Sequence, residues 1–292
     1  MQTLNRNDGR YTTHNVKVDP SDLDYFAWSV PEGGFEVRRV FQVLGFNVER
    51  RPSSALVPRS QERRARLYDP LAETELFLKF ADLPTSEEAI LAFANVYGWL
   101  AGDEHFIASA TAKSSPPIFG DSLSTWRGEI DAMRETIEVW EALRENNTKA
   151  LRARINWFKG GVWYVGRRRQ FIATPDLRSH LLSRWRRDEV VGPARMFIAD
   201  QLNRGLQRKV SPRLVMDHSG TLQPRIVPSN LLGAVWYHFY RTFLGEHKIR
   251  RCEACGRWML YIRKTKTMHP ECANLTRQKR FRSRHAQETR KQ

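Results

Sequence analysis

A chain of 292 residues exceeds the usual size of one domain, so one large domain followed by a small module is the expectation. Its 41% apolar and 11% aromatic residues can bury a core against the entropy of ordering it, which excludes a wholly disordered chain. The net charge of +16 is uneven: residues 247–292 hold 14 Lys and Arg against three Glu, so the basicity belongs largely to the tail. Such a tail attracts polyanions by counterion release, or is simply a solvated face. No apolar run approaches the roughly 18 residues of a membrane span, and residues 1–10 lack a secretory signal. A cytoplasmic protein without a membrane partner is expected.

Residues 1–24 are polar and aperiodic and read as a loose arm. Pro31-Glu32-Gly33-Gly34 marks a turn, residues 35–46 alternate like strand, and residues 50–66 read as a basic, proline-containing connection. Thr85-Ser86-Glu87-Glu88 fits a capping box, and Ile90, Leu91, Phe93, Ala94 and Tyr97 continue at helical spacing, predicting a helix of about 15 residues. Leu123, Trp126, Ile130, Met133, Ile137, Trp140 and Leu143 form one face of a long amphipathic helix whose stripe belongs to a core. Residues 151–158 predict another helical turn or two. Residues 162–165 and 170–173 predict strands around Arg167, Arg168 and Arg169, which meet solvent or phosphate at a hairpin tip. Residues 192–208 read as helix, and 214–216 with 225–227 as a hairpin across His218-Ser219-Gly220. Ser229 is the expected cap of an apolar helix carrying Leu232, Val235, Trp236, Phe239, Tyr240 and Phe243 and ending near Gly245. The fold class predicted is α+β: a mostly helical domain with short strands over residues 1–246, then a small module over 247–292 docked on the preceding helix.

All three cysteines, an odd number that closes no disulfide framework, lie between Cys252 and Cys272. Cys252-Glu253-Ala254-Cys255, then thirteen residues, then His269-Pro270-Glu271-Cys272 read as C-x2-C followed by H-x2-C. Zinc asks for four soft or borderline ligands in a tetrahedron, and two close pairs supply them with little ordering. Gly256 suits a tight knuckle, residues 257–263 one strand of a hairpin and 264–267 its turn. Pro270 suits the first position of a helix whose N-terminus favours the Cys272 thiolate. Knuckle, hairpin and helix in that order are the layout of a treble-clef finger. A redox pair at Cys252 and Cys255, or unligated buried cysteines, are the alternatives. Four protein ligands leave no open position, so the zinc expected here is structural.

The stretch Cys252-Glu253-Ala254-Cys255-Gly256-Arg257-Trp258, a basic hairpin, and His269-Pro270-Glu271-Cys272-Ala273-Asn274 ahead of a basic helix resembles the CGNR-type zinc finger at the C-terminus of bacterial proteins. In that family the finger follows a larger, mostly helical domain of the ABATE type. Leu67-Tyr68-Asp69-Pro70-Leu71 and the helix over 126–143 are similar to such N-terminal domains. The resemblance implies a stress-induced transcription regulator, associated with the bacterial nucleoid. Three positions depart from the pattern: Ala273 and Leu275 stand where the family motif has Gly and Arg, and His269 where it usually has Cys. A Cys-to-His exchange keeps zinc binding. The missing arginine weakens or relocates the polyanion contact, for which Arg277, Lys279, Arg280, Arg282 and Arg284 are the candidates. Arg277, Arg280 and Arg284 share one helix face, and Lys279 and Arg282 another.

The leading expectation is therefore a DNA-binding regulator, with the finger on nucleic acid and the larger domain sensing a signal or meeting a protein partner. An RNA- or ribosome-associated accessory protein, and a structural finger mediating protein contacts, stay open. The sequence has no Gly-rich phosphate loop, no nucleophile elbow and no second metal cluster to suggest an enzyme. His218 beside Asp217, and His105 near Asp103 and Glu104, are its local acid–base neighbours, and both histidines read as ordinary surface residues.

Overall fold

The computed structural model describes residues 5–7, 10–12, 28–44, 47–49, 51–59, 65–109, 116–216, 219–261 and 265–289. Helix accounts for 40% and strand for 30%, a mixed α/β composition in which strands do more than decorate helices. Of the arm expected over residues 1–24, the described part is one antiparallel pair, β1 (Asn5–Asn7) with β2 (Arg10–Thr12); the remainder lies outside the described residues.

The chain then forms β3 (Trp28–Pro31), the ten-residue β4 (Phe35–Leu44), β5 (Asn47–Val48), β6 (Ser53–Pro58) and β7 (Ala65–Tyr68), which pairs back onto β3. Strand β6 corrects the reading of residues 50–66 as a connection. Its centre, Ala55-Leu56-Val57, is fully buried on both faces, so it shows no polar alternation, and arginines and prolines crowd its flanks. With β8 (Glu104–Ile107) and β9 (Ile118–Ser122) these strands make an antiparallel sheet in the order β5-β4-β6-β9-β8. Strand β8 also pairs with β4 through Phe41↔Ile107 and Gln42↔Phe106, so four strands close on themselves. Val40, Ala55, Val57 and Phe106 fill that enclosure, while Leu56 faces the opposite way into the main core.

The main core joins helices to inward-facing strand residues such as Val30, Phe35 and Leu56. Its first helices are α1 (Leu76–Ala81), α2 (Glu87–Tyr97) and the 22-residue α3 (Leu123–Arg144). The predicted capping box is displaced by one residue: Ser86, not Thr85, accepts the Ala89 N–H, and the helix runs eleven residues rather than fifteen. In α3, Trp126, Ile130, Met133 and Ile137 are fully buried, which makes the predicted stripe core, each such side chain contributing about 2 kcal/mol. Ser122 caps this helix by accepting the Thr125 N–H. Beside it, the buried Asp121 carboxylate accepts the N–H groups of Leu100, Ala101 and Gly102, tying the loop after α2 to β9. Burial pushes the Asp121 carboxyl up to about 6, against the pull of those three donors.

After α4 (Thr148–Arg152) comes a three-stranded antiparallel sheet, β10 (Ile155–Phe158), β11 (Gly161–Val165) and β12 (Arg169–Ala173). Residues 151–158 are thus mostly strand, not further helix: Ile155 and Trp157 turn inward and Asn156 and Phe158 outward, a period of two. At the hairpin tip Arg167, Arg168 and Arg169 are exposed, as expected, and Arg167 is also held by acids of α3. Its guanidinium pairs with Asp131 at 2.6 Å and its N–H donates to Glu135.

The chain continues through α5 (Ser179–Leu182), α6 (Val191–Leu206), the ribbon β13 (Val210–Met216) and β14 (Leu222–Pro228), and α7 (Leu231–Phe243). Helices α6 and α7 touch at Gly205, where a Cβ would lie 2.2 Å from the Trp236 ring. The cap of α7 is Asn230, whose side chain accepts the Gly233 N–H; Ser229, the expected cap, instead donates to the Arg208 carbonyl. In the ribbon, Pro212↔Ile226, Leu214↔Pro224 and Met216↔Leu222 lie opposite one another, giving one face of six exposed apolar residues. Pro212, Pro224 and Pro228 all occupy ladder positions of one parity. A continuous ladder requires those positions to be the ones whose amide sites face away from the partner strand.

His238 of α7 is buried, with Nε2 3.0 Å from the carbonyl of Pro70, in the 3-10 turn Pro70–Ala72 that follows β7. A carbonyl only accepts, so Nε2 carries the proton. Burial holds the imidazole below its ordinary pKa, partly offset by that carbonyl. A depressed folded-state pKa means stability is lost as pH falls through about 6.5, with a slope of up to about 1.4 kcal/mol per pH unit. His238→Gln, which keeps a donor for Pro70, is expected to lose less unfolding free energy than the wild type between pH 7 and pH 5 in urea titrations. Equal losses would show that His238 does not titrate on unfolding.

Candidate metal centre

The C-terminal segment opens with β15 (Lys248–Arg251), passes through residues 252–257 and returns as β16 (Trp258–Tyr261), paired Arg251↔Trp258 to Lys248↔Tyr261. The hairpin therefore straddles the Cys252–Cys255 knuckle, which is its turn. It does not follow the knuckle, as residues 257–267 had suggested, because the partner of β16 is the strand before the cysteines; residues 262–264 lie outside the described residues. Two hydrogen bonds close the knuckle, Cys252 N–H to the Arg257 carbonyl and Gly256 N–H to the Cys252 carbonyl, both at 2.8 Å. Gly256 sits at φ +70°, the left-handed conformation the turn needs. Helix α8 (Pro270–Thr289) begins at Pro270 as predicted, and brings His269 and Cys272 to the knuckle.

Cys252, Cys255, His269 and Cys272 come together: their donor atoms all lie within 4.8 Å of one another, close enough to hold a metal ion. A tetrahedral ion with ligand bonds of about 2.3 Å sets sulfurs about 3.8 Å apart. His269 Nδ1 lies 3.5 Å from the Cys255 sulfur and 4.0 Å from that of Cys272. Its other nitrogen, Nε2, is 3.2 Å from the Trp258 carbonyl, which can only accept. Nε2 thus holds the proton, and Nδ1 turns its lone pair toward the sulfurs, the tautomer a metal-binding imidazole needs.

Burial raises the Cys252 thiol, but the backbone N–H groups of His269, Ala254 and Cys255 outweigh it and bring the pKa down to about 6. Cys272 goes the other way, to about 12, through burial and the crowding of Cys255 and Cys252 sulfurs. That crowding outweighs the expected help of the helix N-terminus. Coordination of a divalent cation is the arrangement in which three such sulfurs coexist as thiolates. Arg257 adds a positive charge beside Cys255 that offsets part of the thiolate charge.

The hairpin is fastened to the body by contacts the sequence does not announce. Trp258 donates its N–H to Asp82, 176 residues away and just past the end of α1, and Arg144 donates to the Ile249 carbonyl. Arg251 pairs with Glu141 and lies 4.0 Å over the Trp258 ring. Ile249 and Trp258 belong to the main core. Burial pushes the Asp82 carboxyl up to about 6, resisted by the Trp258 N–H and by Arg251, Arg257 and Arg134.

Helix α8 leads away from this anchorage. Residues 277–283 are all exposed, so for two turns Arg277, Lys279, Arg280 and Arg282 point into solvent; the side chain of Arg284 lies outside the described residues. Of the acid–base neighbours, His105 packs its ring on Phe119, and Glu104 accepts from Gln42 and Thr125, so they form no proton-transfer pair. Asp217 and His218 lie outside the described residues. Among the described residues no helix is long and apolar enough to cross a membrane. The chain matches no protein family, curated protein or solved structure.

Cys255→Ser removes one of four donors and is expected to strip the protein of bound metal, read as metal per chain by atomic absorption. A variant that keeps one metal ion per chain would exclude Cys255 as a ligand. Asp82→Ala leaves the Trp258 N–H without its acceptor, a loss of about 1–3 kcal/mol that should appear as faster amide exchange across β15 and β16. Unchanged exchange there would mean that the hairpin docks without Asp82.

Proposed function

We propose that this protein is a DNA-binding transcription regulator whose C-terminal module is a zinc finger of treble-clef, CGNR-like type. Three thiolates and an imidazole are a donor set suited to zinc, and with all four positions filled from the chain the ion is structural. When bound, zinc contributes folding energy and fixes the knuckle against the first turn of α8. The chemistry toward DNA belongs to the protein's own side chains.

The observation that carries this reading is the course of α8 beyond the ligands. From 277 to 283 it bears four cations and no acid and is exposed on every side, so it can lie along phosphates or enter a groove. Leu275, half-exposed at the position where the CGNR motif has arginine, leaves phosphate contact to the following turns. A cytoplasmic, nucleoid-associated location accords with this role. The docking of β15 and β16 on Asp82, Glu141 and Arg144 favours a second role for the finger, as a brace of the larger body.

Binding of the zinc-replete full-length protein to duplex DNA and to single-stranded RNA across a salt series tests the proposal. Duplex affinity should fall steeply with salt, at about 0.9 logarithmic units per phosphate contact, and Arg280→Ala should retain zinc while lowering that slope by about one contact. Absence of duplex binding, or a slope untouched by Arg280→Ala, would leave the bracing role alone standing.

A further inference from the structure

The basic charge outside the tail is concentrated too. Between Thr148 and Arg187 the chain carries eleven Lys and Arg against a single Asp. This stretch contains the sheet β10-β11-β12, whose inner face, with Ile155, Val162, Tyr164 and Ile172, belongs to the main core. A bulge beyond Trp163 lets Ile172 and Ala173 both turn inward. The outer face is unlike an ordinary solvated sheet.

On that face Trp163 lies between Asn156 on one neighbouring strand and Phe171 on the other, its ring 3.5 Å from that of Phe171. Phe158, one diagonal step away, is 59% exposed and Phe171 47%. Mutual packing across the strands accounts for the contact between Trp163 and Phe171. It does not account for Phe158, whose ring meets only Lys159, at 5.3 Å, among the described ring contacts.

The charges around the face point to what covers it. Three acids beside this sheet are engaged, Asp131 with Arg167, Glu138 with Arg154, and Asp200 with Arg178, which leaves the exposed Asp176, just past β12, as an acid against the exposed cations of the face. Lys159 at one hairpin tip and Arg169 at the other form no ion pair among the described residues, and both are exposed. The surplus of cations beside exposed rings suits a partner that is anionic and presents flat apolar rings at intervals. Single-stranded nucleic acid does both: bases stack on aromatic side chains while phosphates meet cations. A duplex does not, because its bases are stacked on each other.

We propose that the outer face of β10, β11 and β12 is a stacking platform for single-stranded nucleic acid, with Phe158, Trp163 and Phe171 receiving bases and Lys159 and Arg169 the backbone. This site is separate from α8 and does not depend on the duplex-binding role assigned to that helix.

The test is fluorescence anisotropy of labelled oligo(dT) and of a labelled DNA duplex with the zinc-replete full chain, comparing Phe158→Ala, Phe171→Ala, Phe171→Trp and the α8 pair Arg277→Ala with Arg280→Ala. Each alanine variant should weaken oligo(dT) binding on the order of tenfold, Phe171→Trp should keep it, and the α8 pair should leave most of it in place. Phe158→Ala removes a ring that is mostly in solvent; circular dichroism and zinc content check that the fold stands. Oligo(dT) affinity equal to wild type in both alanine variants would overturn the proposal, as would no oligo(dT) binding by the wild type. So would affinity that disappears in the α8 pair yet survives in the alanine variants. Failure of duplex binding alone would count against the α8 reading and leave the platform untouched.

Discussion

Helix α3 is the constraint on which the other elements depend. At 22 residues it is about 33 Å long, enough to run across the whole core. Its first turn is capped by Ser122 at the end of β9, which fixes it to the closed strands. Its middle supplies Trp126, Ile130, Met133 and Ile137 to the interior. Its middle also presents Asp131 and Glu135 to the arginine tip between β11 and β12, and its last turns present Glu141 and Arg144 to the C-terminal hairpin. The buried stripe and the polar contacts lie on one rigid rod, so a rotation of the helix would misplace the sheet, the tip and the C-terminal hairpin at once.

That arrangement divides the C-terminal segment into an inward and an outward half. The hairpin gives Ile249 and Trp258 to the core and draws Arg251 onto Glu141, while α8 turns its cations away. The knuckle is the joint between the halves, since it is the turn of the hairpin and the neighbour of the first turn of α8 at the same time. Four donors held at one joint fix the direction in which the basic helix leaves the body. Without them the hairpin ladder would still tie β15 to β16, and the heading of the helix would rest on the Glu253 N–H to Thr267 carbonyl bond and the His269 contact with the Trp258 carbonyl.

Much of this was readable from the chain where a period or a spacing is local. The α3 stripe repeats every three or four residues, Cys252 with Cys255 and His269 with Cys272 each stand three apart, and Pro270 marks a helix start, so each is visible in the sequence. Strand β6 did not, because a strand buried on both faces loses the alternation that identifies it. The caps at Ser86 and Asn230 were each missed by one residue, where adjacent Thr85 and Ser229 offer the same chemistry. The docking of Trp258 on Asp82 spans 176 residues and joins a backbone amide to a common carboxylate, for which no sequence pattern exists. The aromatic face of β10 to β12 was hidden in part because residues 151–158 resemble helix more than strand.

The ribbon β13 and β14 has a consequence of its own. It exposes six apolar side chains on one face and, being only two strands wide, has two open edges. A ribbon of that kind is ordinarily a template on which further strands assemble into fibrous aggregates. Here Pro212 interrupts one edge and Pro224 and Pro228 the other, removing amide donors that an incoming strand would need. The prolines act as gatekeepers: they let the chain carry an apolar surface in the open without recruiting its neighbours into a growing sheet.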